Sequence, residues 1–233
     1  MIPKSLAKQF DTVIVLDTET TGIKHKEDRI IELAAARMDK KGGRRPTATM
    51  DLFIRLPEGQ RIPDEIVLLT GITDKMLEEE GVEEAEAASR FASLFPDEGA
   101  ILVAAYNAQF DLCFLYYCLL RHGYTDLLRR VRFLDLLTVY KDRRPYPHKL
   151  CNAVESYRLH TENTHRAIDD TLAAFELLSE MGKEKDDLSS YINLFGYNPK
   201  YGVSGPKISS ITYRPQRYDP KAPLYEEEAV PSF

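Results

Sequence analysis

Two acidic residues follow a short apolar run near the start of the chain. In residues 12–20 (TVIVLDTET), strand alternation puts Val13, Val15, Asp17 and Glu19 on one face. The two carboxylates then originate ~7 Å apart, at the end of a run that is typical of a strand buried on both faces. Two anions this close are costly without a positive charge between them, and a divalent cation suits hard oxygen ligands. The alternative is that both acids lie in a solvated turn.

A third acid, Asp111, lies in YNAQFDLCFL, directly after the apolar run AILVAA of residues 100–105. This pattern predicts a buried strand and then a helix from about residue 108 to 122, with Asn107 as its N-cap. Asp111 falls in the first helical turn, where the helix dipole favours an anion, and that is the structural alternative. The strand-then-helix context also places Asp111 at the sheet edge where open α/β folds bind ligands.

The segment HRAIDDT contains two adjacent acids on a predicted helix from about residue 166 to 181. At ~100° per residue, Asp169 falls on the solvent face, whereas Asp170 falls between Leu177 and Met181 on the apolar face. A carboxylate on a packed face needs a compensating partner. Asp170 is therefore the ligand candidate and Asp169 a solvated neighbour. The alternative is that Asp170 pairs with an arginine or caps a loop.

His165 stands five residues before Asp170, at or just before the predicted helix start. An imidazole titrates near neutrality, as a general base should, and this position lets it swing toward a site at the helix entry. A lone histidine is more often structural. The remaining histidines are interpreted in that way: His25, His122, His148 and His160.

Positioning these side chains requires a sheet with helices on its faces. Residues 29–38 and 50–56 are two further strand candidates on either side of the turn segment KKGGRRP, and they predict an antiparallel meander with the first strand. Short helices are predicted at residues 63–69 and 73–80, with Gly71 between them, and a longer one at 82–95.

The later part of the chain alternates strands and helices, which indicates an α/β domain on a mixed sheet. A short strand is predicted at residues 131–136, and Asn163 and Thr164 are candidate caps of the last helix, with Gly182 as its stop signal. We predict a domain over residues 1–182 and an extension over 183–233. The extension begins with one short helix and continues as an irregular segment that is rich in basic and aromatic residues.

Together, these motifs resemble those of the DEDDh 3′–5′ exonucleases of the ribonuclease H-like superfamily, and more narrowly the proofreading exonuclease of bacterial DNA polymerase III. Asp17 and Glu19 match the first motif, Asp111 in NAQFD the second, and His165 with Asp170 the H-x4-D third. The segments LTGIT and RIIELAAARM are also similar to the family, and the resemblance covers roughly residues 12 to 181. It implies a ribonuclease H-like α/β fold, a mixed five-stranded sheet of three antiparallel strands and then parallel strands, flanked by helices.

The resemblance also implies the chemistry. Asp17, Glu19, Asp111 and Asp170 would hold two divalent cations, Mg²⁺ or Mn²⁺, and His165 would take the proton of the attacking water. The product would be a nucleoside 5′-monophosphate. By similarity, five residues would receive the terminal nucleotide: Thr20, Thr21, Leu69, Asn107 and Phe110.

One position departs from the family pattern. Tyr106 stands where many relatives carry a histidine before the Asn, which affects an expected substrate contact and leaves the metal ligands in place.

Two basic segments have both a functional and a structural interpretation. Residues 141–149 (KDRRPYPHK) carry net +3 and either follow the phosphates of a single strand or form a solvated loop. Residues 198–221 carry net +4 with interleaved tyrosines, which suits nucleic-acid stacking or docking on a partner. The alternative for this second segment is a disordered or domain-wrapping tail.

Composition limits the function classes. The 233 residues contain 31 Lys and Arg against 37 Asp and Glu, a net charge of −6, which excludes a broad basic clamp on nucleic acid. Residues 74–86 alone hold seven acids and one base, so the rest of the chain is neutral. No apolar run reaches the ~20 residues of a membrane span, and three cysteines without a CxxC pair favour a reducing compartment. We expect a cytoplasmic protein without a membrane partner.

The leading interpretation is a metal-dependent 3′–5′ exonuclease of the proofreading or repair type. It acts on single-stranded or frayed DNA, with a DNA polymerase as a candidate partner. The same chemistry on RNA or short oligonucleotides is the second interpretation. The third is a catalytically silent, polymerase-associated module that binds nucleic acid, which the complete set of five chemical residues disfavours.

Overall fold

A sheet of five strands forms the centre of the protein, and the computed structural model describes residues 1–43, 45–161 and 164–226. In chain order the strands are β1 Thr12–Thr20, β2 Ile30–Asp39, β3 Ala48–Phe53, β4 Ile101–Ala105 and β5 Arg132–Asp135. Their spatial order is β3-β2-β1-β4-β5. Strand β1 pairs antiparallel with β2 and parallel with β4, while β2–β3 is antiparallel and β4–β5 parallel. The predicted mixed sheet is confirmed.

Helices cover both faces of this sheet. They are α1 Lys4–Ala7, α2 Asp64–Thr70, α3 Asp74–Glu80, α4 Glu84–Ala92, α5 Ala108–Arg121, α6 Asp126–Arg129, α7 Leu136–Arg143, α8 Leu150–Tyr157 and α9 Ala167–Glu184. The two short helices predicted around Gly71 are confirmed, and this glycine ends α2 at φ 72°, in the left-handed region. None of the helices in the described part of the chain is long and apolar enough to cross a membrane.

The apolar strand β1 separates two hydrophobic cores. Ile14 and Leu16 pack in one core with α4 and α5, whereas Val13 and Val15 pack in the other with α7 and α9. All four side chains are fully buried. Because β1 has a hydrogen-bonded strand on each side and a core on each face, it holds its end residues in fixed positions.

The end of α9 differs from the prediction. The helix does not stop at Gly182 but continues to Glu184, with Lys185 at its C-cap. A Cβ atom added to Gly182 would lie 2.5 Å from the Pro3 side chain, so the glycine allows the N-terminal segment to pack closely on the helix. Gly182, which the sequence pattern predicts to end the helix, instead permits close packing against Pro3.

The extension is ordered against the domain within the described residues. It forms a 3₁₀ helix, Leu188–Tyr191, and two parallel strands, β6 Leu194–Tyr197 and β7 Thr212–Pro215. The short helix predicted within residues 183–194 is this 3₁₀ helix, and the irregular backbone predicted beyond it is interrupted by the two short strands. Gln216 donates a hydrogen bond to the Thr138 carbonyl at 2.8 Å, and the Leu224 N–H donates to Asp142 at 2.7 Å. The division of the chain at residue 182 stays a prediction.

The basic segment at residues 141–149 contributes to an ion-pair cluster, which we call the arginine cluster: Arg143, Arg144, Glu184 and Asp187. Arg143 contacts Glu184 at 3.1 Å and Asp187 at 2.6 Å, and Arg144 contacts Glu184 at 2.7 Å. These bonds join the end of α7 to the end of α9 and the extension. Two of the four bases in this segment are thus engaged within the protein, which favours a structural role over phosphate binding.

Candidate active site

The carboxyl end of β1 carries the first two acids. Because side chains alternate along a strand, Asp17 and Glu19 lie on the face covered by α9, and Thr18 lies on the face covered by α5. Both acids are half-buried. The strand register shifts between Glu19 and Thr20, where the pairing with β2 becomes irregular. The regular part of β1 therefore ends directly at the two carboxylates.

Asp111 reaches the same strand from the other side of the sheet. It lies in the first turn of α5, is 3% exposed, and accepts hydrogen bonds from Thr18 through the backbone N–H at 3.0 Å and the hydroxyl at 2.8 Å. Thr18 stands between Asp17 and Glu19, so these two bonds fix the third acid beside the first two. Asp111 reaches this position because α5 begins directly after strand β4.

The start of α9 brings the remaining predicted residues to the site. Asp170 is 7% exposed, and one ligand atom from each of Glu19, His165 and Asp170 lies within 4.8 Å of the other two. Asp169 is partly exposed and accepts a hydrogen bond from the Thr164 hydroxyl at 2.5 Å. The helical wheel therefore separates the two aspartates as predicted.

Asn163 and Thr164 are the two residues predicted to cap the start of α9. Thr164 bonds to the Asp169 side chain and not to a backbone N–H at the start of the helix, so the predicted cap is wrong. Arg166 occupies the N-cap position, and Asn163, the second predicted cap, lies outside the described residues.

We call the four acids Asp17, Glu19, Asp111 and Asp170 the site carboxylates. Burial is the largest cause of the raised pKa of Asp17, Glu19 and Asp111. Burial raises the pKa of Asp17 well above its ordinary value, and repulsion from the three other site carboxylates raises it further. Burial, then Asp170, raises the pKa of Glu19 to about 8, with Arg166 opposing. Burial also raises the pKa of Asp111 to about 7, although its hydrogen bonds from Thr18 lower it.

The donor set fits divalent cations. Carboxylate oxygens are the ligands that Mg²⁺, Mn²⁺ and Ca²⁺ prefer, and a bound cation would remove the repulsion that raises these pKa values. In the described part of the chain, no lysine or arginine forms an ion pair with Asp17, Glu19 or Asp111. Cations therefore suit the charge of this site.

A buried ion pair supports the start of α9, and the sequence analysis did not assign it. Glu32 of β2 is fully buried and accepts hydrogen bonds from Arg166 at 2.8 and 3.0 Å and from the Ala167 N–H at 2.9 Å. The Arg166 guanidinium also lies 4.8 Å from the centre of the Phe53 ring. These bonds hold the helix start that carries His165 and Asp170. A single acid inside the apolar strand sequence RIIELAAARM was the available signal.

A second unassigned acid, Asp135, supports the start of α5. Its Oδ1 accepts the backbone N–H groups of Asn107 and Ala108, each at 3.0 Å, and its Oδ2 accepts from the Thr138 hydroxyl at 2.6 Å. Asn107 occupies the predicted N-cap position of α5, at φ 69°, but its side chain makes no capping bond, and Asp135 is the side-chain acceptor at the start of this helix. An acid at the end of strand FLD was again the only sequence signal.

The five residues predicted to receive a nucleotide have different surroundings. The Thr20 hydroxyl donates to the Gly22 carbonyl at 2.6 Å, and the Thr21 hydroxyl accepts from the Arg29 N–H at 3.0 Å, so both hydroxyls are engaged in the turn after β1. Leu69 is 53% exposed on α2. Asn107 is exposed, and Phe110 lines a cavity on α5 and packs 4.9 Å from the Phe114 ring centre.

Tyr106, at the position that departs from the family pattern, is buried. Its hydroxyl donates to the His148 carbonyl at 2.8 Å, and its ring packs in the core with α7 and α9. This side chain therefore takes a structural position, and its hydroxyl is occupied by backbone.

Comparisons with known proteins identify the family and agree with this fold. A family model described as Exonuclease, RNase_T, matches residues 14–178. DNA polymerase III subunit epsilon of Treponema pallidum is 32% identical over 172 residues, which cover 71% of this chain and 74% of that protein. DNA polymerase III PolC-type of Lacticaseibacillus paracasei is 32% identical over 204 residues, 86% of this chain but 13% of that protein.

Solved structures show the same fold. The chain matches a zinc-bound complex of Escherichia coli ExoI with single-stranded DNA at a TM-score of 0.68 and 23% identity, over 78% of this chain and 43% of that one. E. coli Exonuclease I in complex with a dA16 oligonucleotide matches at a TM-score of 0.68 and 22% identity, over 78% of this chain and 42% of that one. The chain thus spans less than half of these structures and about an eighth of the PolC-type relatives.

Proposed function

Because the chain belongs to the Exonuclease family RNase_T, we propose that it is a metal-dependent 3′–5′ exonuclease of the proofreading or repair type. Its substrate is a single-stranded or frayed DNA 3′ end, and its product a nucleoside 5′-monophosphate. The observation that supports this most strongly is the meeting of acids from three elements, β1, α5 and α9, at the end of one central strand. Those acids repel one another, as expected where cations bind.

We assign the four site carboxylates as the ligands of two divalent cations, Mg²⁺ or Mn²⁺. When bound, such cations lower the pKa of a coordinated water and offset the negative charge on the leaving oxygen. The chain's own contribution is the fixed placement of the ligands. Thr18 holds Asp111, while Glu32 and Arg166 hold the helix that carries Asp170.

We assign His165 as the general base. It is exposed, stands two residues before α9 at φ 59°, and has a ring nitrogen within 4.8 Å of oxygens of Glu19 and Asp170. A neutral imidazole at this position accepts the proton of the attacking water, and the nearby carboxylates stabilise the imidazolium that forms.

The terminal nucleotide is assigned to the residues around the site. Phe110 and Leu69 offer apolar side chains that stack or wedge against a base without regard to its sequence. Asn107 offers an exposed amide beside the start of α5. Since the hydroxyls of Thr20 and Thr21 are engaged in their own turn, we assign the contact there to the backbone of the two residues.

The names of the relatives support DNA as the substrate and a DNA polymerase as a partner. Two of them are DNA polymerase III components, and two matching structures contain a DNA strand. A cytoplasmic location belongs to the same proposal, because the three cysteines of this chain are free thiols. Copurification with a tagged replicative polymerase from the source cell would test the partner.

A time course on 5′-labelled 12-mers of DNA and RNA, with Mg²⁺, Mn²⁺ or EDTA, tests the activity. We expect a ladder that shortens from the 3′ end and releases 5′-mononucleotides only with metal, with DNA cleaved faster. Faster cleavage of RNA would make the enzyme an exoribonuclease. Tight binding of DNA without hydrolysis in either metal would instead indicate a silent binding module.

A further inference from the structure

A groove leads away from Phe110 along the exposed side of α5. It consists of two adjoining cavities of about 320 and 520 Å³, which share Cys113 as a lining residue. The first is bounded by residues 23–27, after β1, and the second by α6. Residues 204–210 of the extension form a wall of both. We call this feature the α5 groove. Its lining begins at Phe110, the sequence neighbour of the site carboxylate Asp111, and extends past Tyr116.

The extension wall is attached to the first turn of α5. Gln109 donates a hydrogen bond to the Pro206 carbonyl at 2.7 Å and accepts one from the Tyr213 hydroxyl at 2.7 Å. The same hydroxyl accepts the Ile208 N–H at 2.9 Å. Gly205, at φ 81°, brings the extension close to His25, because a Cβ there would lie 3.5 Å from the imidazole. This wall lies outside residues 14–178, which the family model matches.

The lining of the α5 groove combines aromatic rings with positive charge. His25 stacks on Tyr117 with ring centres 5.3 Å apart, and Phe110 and Tyr116 lie toward the two ends. The charged lining residues are Lys24, Lys26, Arg129, Lys207 and Glu27. Lys24 pairs with Glu27 at 3.1 Å and Arg129 with Asp126 at 3.0 Å. Among the described residues no ion pair engages Lys26 or Lys207, so these two lysines are the cations available to phosphates. Aromatic faces for bases beside cations for phosphates are the features of single-strand binding sites.

We infer that the α5 groove binds the nucleotides of a single DNA strand that precede the 3′-terminal one. This inference rests on the proposed function, which places the terminal nucleotide at Phe110. From Phe110 to Tyr117 the helix rises ~10 Å, which accommodates about three nucleotides at ~3.4 Å each. The extension thus contributes one wall of the proposed binding groove.

The test compares substrates of different length. The p-nitrophenyl ester of thymidine 5′-monophosphate occupies only the terminal position, whereas dT2, dT4, dT8 and dT12 enter the groove progressively. We expect kcat/KM to rise up to about four nucleotides and then to level off, since the groove holds about three beyond the terminal one. A value that is already maximal at dT2 would overturn the inference.

Variants of the groove lining give the second readout. Tyr116→Ala is expected to lower the ratio of kcat/KM for dT12 to that for the ester about tenfold, the order of one lost base stack. The double variant Lys26→Ala/Lys207→Ala is expected to reduce the salt dependence of dT12 binding by about 1.4 in log–log slope, at ~0.7 per phosphate contact. Lys183→Ala, an exposed lysine in the last turn of α9, is the matched control and leaves both quantities unchanged.

The outcomes separate this inference from the proposed function. If the wild-type protein hydrolyses the ester and the groove variants leave the dT12 kinetics unchanged, the inference alone is overturned. The groove is then assigned to a protein partner. Equal losses on the ester and on dT12 also overturn the inference, because they indicate distortion of the catalytic site. Anisotropy of 5′-fluorescein dT12 measures binding without hydrolysis. If the protein cleaves neither substrate but its dT12 binding weakens in the groove variants, the groove inference is supported and the proposed exonuclease function is rejected.

Discussion

Two groups of acids in this protein have opposite surroundings. The site carboxylates lie at the end of β1, where burial raises the pKa of Asp17, Glu19 and Asp111, and repulsion from the other site carboxylates raises the pKa of Asp17 and Glu19 further. In the arginine cluster, burial also raises the pKa of Glu184 and Asp187, but hydrogen bonds outweigh it and lower the pKa of both. Those bonds come from Tyr157 and Arg144 to Glu184, and from Lys185, Tyr225 and Arg143 to Asp187.

This difference distinguishes acids whose charge the protein itself balances from acids whose charge only a bound cation would balance. A buried carboxylate whose donors are all supplied by the protein contributes to folding through its charged form. A group of carboxylates that raise one another's pKa destabilises the folded, metal-free protein at neutral pH, and gains from a cation that only a ligand can supply. Burial alone, which the two groups share, does not tell them apart.

Neutralising a site carboxylate should give the largest effect. Asp170→Asn preserves the shape of the side chain at the buried end of the site and removes one negative ligand. We expect the exonuclease rate to fall by more than about 10⁴-fold, because loss of a general base alone costs about 10²–10⁴-fold. The measurement is release of mononucleotides from dT12 with Mg²⁺, with circular dichroism to confirm the fold. A rate within tenfold of wild type would remove Asp170 from the site.

Breaking the arginine cluster should affect stability and spare catalysis. Arg143 is 8% exposed at its side chain and pairs with both Glu184 and Asp187. We expect Arg143→Ala to lower the free energy of unfolding by about 1–3 kcal/mol, because hydrogen bonds to charged groups are lost while Glu184 keeps Arg144 and Asp187 keeps Lys185. Urea unfolding measures this, and the rate per folded molecule should stay within twofold. Arg90→Ala, at an exposed pair with Glu86, is the control at under about 1 kcal/mol; an equal effect of the two variants would contradict the comparison.

The two groups should also respond to pH in opposite directions. With pKa values of about 8 and about 7, Glu19 and Asp111 bind protons more tightly in the folded protein than in the unfolded chain. Stability in EDTA should therefore fall as pH rises from about 4.5 to 8, which we expect to lower Tm by several degrees at about 2–4 °C per kcal/mol. The lowered pKa values of Glu184 and Asp187 predict a separate loss of stability as pH falls below about 4.

Two controls sharpen the pH experiment. Added Mg²⁺ or Mn²⁺ should raise Tm at pH 8 more than at pH 5, because the cations bind the ionised site carboxylates. Glu19→Gln should raise Tm in EDTA at pH 8 and weaken the response to metal, since it removes one of the repelling charges. A metal-free Tm that does not change between pH 5 and 8 would contradict the raised pKa values.

The smallest effect is expected at the neighbour of Asp170. Asp169 is partly exposed, and its carboxylate accepts a hydrogen bond from the Thr164 hydroxyl. Asp169→Asn should change the exonuclease rate by less than about threefold, because a partly exposed acid outside the site supplies no ligand. Kinetics on dT12 beside Asp170→Asn give the direct comparison. Similar losses in the two variants would show that the helical wheel does not select the functional aspartate.

Local patterns account for most of what the sequence predicts correctly. Alternation along TVIVLDTET puts Asp17 and Glu19 on one face, and the helical period separates Asp170 from Asp169. Both predictions depend on residues a few positions apart, whose relative directions are set by the backbone geometry of one element. The antiparallel meander of the first three strands was predictable for a similar reason, since short turns join antiparallel neighbours. The parallel pairing of β1 with β4 joins strands that are not consecutive, so no local pattern specifies it.

Predictions about helix ends were less successful, because an end is satisfied by whatever acceptor or packing partner lies nearest in space. The N–H groups of Asn107 and Ala108 donate to Asp135, 28 positions from Asn107, whereas the Asn107 side chain makes no capping bond. Gly182 permits contact with Pro3 at the other end of the chain and does not stop α9. Neither partner is visible in the local sequence pattern.

The sequence by itself determined the family, the central strand and the identity of the five chemical residues proposed for the site. The tertiary structure decided which charges support them. Arg166 pairs with Glu32 across 134 positions, Arg143 and Arg144 pair with acids of α9 and the extension, and residues 204–210 form a wall beside α5. The physical reason is that a periodic pattern specifies the face of an element, whereas a charge is balanced by groups brought close only when distant elements pack together.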